Sequence, residues 1–356
     1  MRSGPRTTAL ATLVLTALLA FAPIARSNDS GMDVGSMTKD ALLDLLVTGD
    51  PTNASIEQLN DHLPEVLRKF ERARKSDPDN AHWVAGVALV KLRQNEPKPA
   101  YKLAKKAVKL DPDSALTQYT LGSTAGRMTG EAGLFGKIGY AKRTRKAFKK
   151  AVELEPSHYP SRVGLAMYYT FAPGIMGGSW SDAYEQAEAI TRLPGRADDG
   201  YALIALIASQ EDDWERYSRA IESALDAADT QRERDDIHVD AAFVMLNNKG
   251  EPRRALEHLR EVTDEMVKST TNYTFTKAQA HRELEEYEKA IPWYERTIEI
   301  RADAENSPYY LGVCAMEVGD YERAAKAFKR YLDNTPDGEH TLEAKRALNR
   351  ARSRMG

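Results

Sequence analysis

One short helix recurs along this chain and limits its fold more than any other feature. Lys102–Pro112 reads KLAKKAVKLDP and Lys146–Pro156 reads KAFKKAVELEP. An earlier copy is Val66–Pro78, VLRKFERARKSDP, and a later one is Ala324–Pro336, AAKAFKRYLDNTP. In each copy, small or aromatic residues fall at three- and four-residue spacing on one face and basic residues on the other. A proline then stops the helix, having no N–H to give and clashing with the preceding turn. The step is nearly constant: 34 residues from Pro78 to Pro112 and from Ala290 to Ala324, and 35 from Ala255 to Ala290. Such a helix cannot bury its apolar face alone, and repetition at this period buries it on neighbouring copies.

The clearest complete unit is Ser307–Pro336, SPYYLGVCAMEVGDYERAAKAFKRYLDNTP. Leu311, Gly312 and Ala315 mark a first helix, Gly319-Asp320 a turn, and Ala324, Phe328 and Tyr331 a second helix. This unit resembles the tetratricopeptide repeat: the small residue of the first helix falls on Gly312, that of the second on Ala324, the aromatic on Phe328 and the closing proline on Pro336. The resemblance implies an all-α, right-handed solenoid of about eight helix–turn–helix repeats. In order, these are a degenerate N-terminal hairpin over 39–78, repeats across 79–336, and a C-terminal capping helix within 337–356, basic on its outer side. Two units are too long. Thr129–Ile138 is expected as a loop between helices, and Ala172–Ser179 as a turn before a helix capped by Ser181.

The N-terminus has a targeting pattern. Arg2 and Arg6 precede an uncharged run from Thr7 to Ile24, followed by Ala25-Arg26-Ser27. That order predicts a signal peptide, residues 1–27, cut after Ser27, with a flexible stretch over 28–38. The alternative is an uncleaved anchor, although the run is shorter than the roughly 20 residues of a span. Cys314 is the only cysteine, so no intramolecular disulfide forms. A disulfide-free exported chain fits a bacterial periplasm better than an extracellular module. Residues 51–150 hold 20 basic against 10 acidic residues, and 151–300 hold 16 against 29. This two-ended charge predicts salt-sensitive, head-to-tail self-association.

Chemistry-bearing constellations are missing. No two of the seven histidines lie at metal-ligand spacing, Gly130–Gly136-Lys137 departs from a phosphate-binding loop, and no Gly-x-Ser-x-Gly elbow occurs. No catalytic residue, metal or cofactor is therefore expected, and the chain is read as non-enzymatic. The lysines of the repeated helix, with Lys142, Arg143, Arg145, Lys146, Lys149 and Lys150, are expected on a solvated convex face. Nucleic acid is not an expected partner, because no aromatic residues are interleaved with these cations.

The family resemblance implies a concave face lined by first helices that binds extended protein segments. Its register selects Tyr119, Arg127, Met167, Phe171, Phe275, Gln279, Arg282, Tyr309 and Met316, residue types common at interface hot spots. The leading expectation is a periplasmic or secreted protein-binding scaffold. The alternative is a small-molecule binder or transporter accessory that uses the 172–179 loop and the groove.

Overall fold

In the computed structural model, the described residues are 36–48, 56–301 and 306–355. The signal-peptide expectation and most of the flexible stretch lie outside them. Among the described residues all regular structure is helical, and none of these helices is long and apolar enough to cross a membrane.

The helices are α1 (Lys39–Thr48), α2 (Ile56–Ser76), α3 (Ala81–Arg93), α4 (Pro97–Leu110), α5 (Ala115–Glu131), α6 (Leu134–Leu154), α7 (Tyr159–Phe171), α8 (Trp180–Thr191), α9 (Ala197–Glu211) and α10 (Trp214–Ala227). They continue as α11 (Gln231–Val244), α12 (Pro252–Glu261), the short α13 (Glu265–Lys268), α14 (Thr271–Glu283), α15 (Tyr287–Ile300), α16 (Ser307–Glu317), α17 (Tyr321–Asn334) and α18 (Thr341–Met355). From α3 onward they pair as hairpins: α3–α4, α5–α6, α7–α8, α9–α10, α11–α12, α14–α15 and α16–α17. Within each unit, second helices also pack on the first helix of the following hairpin: α4 on α5, α6 on α7, α8 on α9, α12 on α14 and α15 on α16. This pairwise stacking is the tetratricopeptide-like architecture that the repeat predicts. The chain divides into two compact units between Ala227 and Ala228.

The packing rule is visible around Phe148 of α6, which is 2 % exposed. Its ring lies against Gly122 of α5 and Gly164 of α7, where an added Cβ would stand 2.6 and 2.7 Å from ring carbons. Phe328 meets Gly312 in the same way, with 2.7 Å to a hypothetical Cβ. A large aromatic on the second helix thus needs a small residue on the first. The repeated KLAKKAVKLDP segment obeys the same division: Ala104 and Ala107 are buried, whereas Lys102, Lys105, Lys106 and Lys109 are exposed. In α18, Ala344, Ala347, Leu348 and Ala351 cover the last hairpin while Lys345, Arg346, Arg350, Arg352 and Arg354 face solvent.

Two connections differ from expectation. Thr129–Ile138 is no loop: α5 runs to Glu131 and α6 begins at Leu134. The extra residues lengthen both antiparallel helices, to 17 and 21 residues, because a continued helix satisfies its backbone internally. The helix after the second insert is capped by Ser179, which accepts from Asp182 N–H at 3.2 Å, two residues before the predicted cap. A five-residue π-turn, Met245–Lys249, also extends α11.

Candidate first-helix binding faces

In the C-terminal unit, α11, α14 and α16 supply the first helices. Arg282 of α14 lies 4.2 Å above the Tyr310 ring and pairs with Glu283 at 2.6 Å. Its Nε is buried, as is the neighbouring Tyr294 hydroxyl, and the two side chains interact. Burial pushes the Tyr294 phenol upward, and the positive charge of Arg282 opposes that push. The Cys314 thiol is pushed up to about 12, mainly by burial, which leaves it protonated and unreactive. Half-buried Phe275 makes an edge contact with Tyr294, their centroids 6.1 Å apart. Gln279 donates to Asn247 across to α11 at 3.3 Å. Arg282, Phe275 and Gln279 therefore come together around an aromatic floor.

Two further residues belong to this face and escape the repeat register. Phe243 is 48 % exposed, and Asn247, one turn on, donates to the Phe243 carbonyl at 2.9 Å. The signal lies in Ala241–Leu246, AAFVML. Six consecutive apolar residues exceed the stripe that one helix can bury, so one must face outward. The π-turn adds a residue that a 34-residue register does not anticipate.

The other residues selected in this unit are more enclosed. Tyr309 stacks on His340 at 4.1 Å and also touches Phe328 and Tyr331, which ties α16 to α17 and to the residue that precedes α18. Met316 is partly buried against the same cluster.

In the N-terminal unit, the selected residues are already engaged. Tyr119 of α5 donates its hydroxyl to the Val47 carbonyl of α1 at 3.3 Å, and burial raises its phenol. Arg127 donates to Asn95 Oδ1 at 2.6 Å. Phe171 is partly buried against the α7–α9 core. Met167 is 2 % exposed and sealed within that core, so it offers no surface to a partner. The alternation of small and large residues could not separate it from a groove position.

The 172–179 connection closes on itself. A 3-10 turn spans Gly174–Met176, Tyr168 Oη donates to the Met176 carbonyl at 2.7 Å, and Ser179 N–H donates to the Tyr169 carbonyl at 2.9 Å. A Cβ at Gly178 would lie 1.7 Å from the Ala172 carbonyl oxygen, so the close approach requires glycine. Ile175, 97 % exposed, projects from the turn.

Among the described residues, no group of three His, Cys, Asp or Glu could hold a metal ion. Asp236 and Asp240 on α11 are both pushed up to about 7, chiefly by burial. His238 and His258 meet Nδ1 to Nδ1 at 3.2 Å, a contact invisible at their sequence spacing.

Comparison with known proteins fits this geometry. A tetratricopeptide-repeat family model matches residues 248–307 and 308–339. No curated protein matches. Among solved structures, yeast Tom70 resembles the chain with a TM-score of 0.66 and 15% identity, covering 98% of this chain and 72% of that one. A tetratricopeptide repeat protein from Parabacteroides merdae gives a TM-score of 0.50 at 12% identity, covering 78% of this chain and 98% of that one. The Cut9 structure in complex with Hcn1 gives 0.48 at 16% identity, covering 82% of this chain and 53% of that one, so this chain spans about half its length. At these identities the likeness is one of fold. The repeat family is supported by sequence over residues 248–339; elsewhere the likeness is one of fold alone.

Proposed function

We propose that this chain is a non-enzymatic, protein-binding scaffold that takes segments of a partner protein on its first-helix faces. The carrying observation is the C-terminal face, where Phe243, Phe275, Gln279 and Arg282 present exposed or half-buried aromatic, amide and guanidinium groups. Such groups dominate protein interfaces because they combine large apolar area with a polar handle. An Arg282 guanidinium held over Tyr310 and paired with Glu283 loses little further freedom on meeting an acceptor. On the outer helices, exposed ion pairs such as Lys326–Glu322 and Lys329–Asp333 contribute little.

We further propose export to the periplasm, on the strength of the Arg2/Arg6 region, the apolar run and Ala25-Arg26-Ser27. One preparation tests both points. Tagged protein recovered from the periplasmic fraction is expected to begin at Asn28 and to co-purify partners. Phe275→Ala with Arg282→Ala should remove those partners while leaving the helical content unchanged. Partners retained at wild-type level by the folded double variant would overturn the binding face, and a chain confined to the cytoplasm would overturn export.

A further inference from the structure

Helix α1 does not behave like the first helix of a repeat. It touches α2, α3 and α7, and through its Val47 carbonyl it also reaches Tyr119 of α5. Because α3, α5 and α7 are consecutive first helices, α1 lies across the inner row of three hairpins rather than along its own second helix.

Its sequence, KDALLDLLVT, crowds the apolar residues onto that row. Leu42 and Leu45 are fully buried and Leu46 is 2 % exposed. They pack with Val87 and Val90 of α3 and with Leu63, Val66 and Phe70 of α2. A ten-residue helix is marginal alone, so the face beneath it holds it in shape. The face also receives its backbone. Arg93 Nη2 donates to the Leu46 carbonyl at 3.2 Å, and Tyr119 Oη donates to the Val47 carbonyl at 3.3 Å. Those carbonyls are among the four at a helix C-terminus that lack intrahelical partners, where a cation is also favoured by the helix dipole. At the other end, Lys69 Nζ donates to the Met37 carbonyl at 3.1 Å, and Lys39 sits 4.7 Å above the Trp83 ring. The polar contacts read main-chain atoms, and the specificity rests on leucines three and four residues apart.

We propose that the segment Met37–Val47 is an intramolecular occupant of the N-terminal unit's first-helix face, filling the place of a leucine-rich amphipathic helix from a partner. While α1 is docked, that face is closed, and a segment of the same chemistry competes with it. The competition rests on the protein-binding reading above. The docking itself stands on the contacts of α1 and involves neither Phe275 nor Arg282, so the two can fail separately.

The test uses the full chain. Leu45→Asp with Leu46→Asp should release α1 and leave α2–α18 folded. A fluorescent peptide of residues 37–48 should then bind the variant at least ten-fold more tightly than it binds the wild type. Adding Arg93→Ala should lower that affinity again. In the wild type, hydrogen exchange of α1 amides should run at least ten-fold faster than that of α3 amides, reporting local undocking. The proposal is overturned if the folded variant binds no better than wild type, if the double substitution unfolds the whole unit, or if α1 and α3 exchange together.

Discussion

At the scale of single residues, His238 and His258 set a pH dependence with a definite sign. One Nδ1 must donate and the other accept, so the pair is stable only while one proton is shared between them. Burial lowers both pKa values, and His258, further opposed by His238 and Arg254, falls to about 4. Above about 6.5, folded and unfolded chains both hold neutral imidazole. Between there and about 4 the unfolded chain binds a proton that the folded chain refuses, so stability is lost as pH falls through this window. Allowing for partial exposure, the effect is about 2 kcal/mol. Asp236 and Asp240, raised to about 7, act with opposite sign: their contribution is full below the ordinary carboxylate range and is lost as pH rises through about 7. They are common to wild type and a His258→Gln variant, so they cancel in the comparison. From pH 7 to pH 4.5 the urea midpoint of the wild type should drop relative to that of His258→Gln; parallel profiles would refute the assignment. This pair was not legible in the sequence, because its twenty-residue separation becomes a contact only when α11 meets α12.

At the scale of elements, the repeat is an exchange of volume between facing helices. Phe148 fills the space that Gly122 and Gly164 leave, and no side chain on either side can grow without moving the ring. Gly122→Ala should cost about 1–3 kcal/mol through overpacking. Combining it with Phe148→Leu should cost less than the sum of the two single changes, because leucine clears the space that the new methyl needs. Strict additivity in urea unfolding would mean that the two positions do not share a site. This level was largely readable beforehand, since small, aromatic and proline positions recur at a fixed period. The exceptions have physical causes. The Thr129–Ile138 insert looked like a loop for its glycines, yet it extends α5 and α6. Phe243 was hidden in the apolar run Ala241–Leu246, whose outward-facing member the pattern alone does not mark. Helix α1 carries the apolar pattern of any repeat helix, and pattern alone does not say which neighbours it meets.

At the scale of the whole molecule, the two sets of helices have separate work. Second helices bury alanines and aromatics and turn their lysines outward, so the motif that recurs most often holds the stack together. On the proposed reading, first helices carry the contact residues, exposed or half-buried at Phe243, Phe275, Gln279 and Arg282 in the C-terminal unit, while in the N-terminal one α1 lies across α3, α5 and α7. Site-specific photocrosslinking measures this division most directly. A photoreactive phenylalanine analogue placed at Phe243, on the first-helix face, is compared with the same analogue at Lys109 and at Lys329, on exposed second-helix faces. Irradiation in extract should yield discrete partner adducts from position 243 and none from 109 or 329. Adducts from the lysine positions alone would contradict the account.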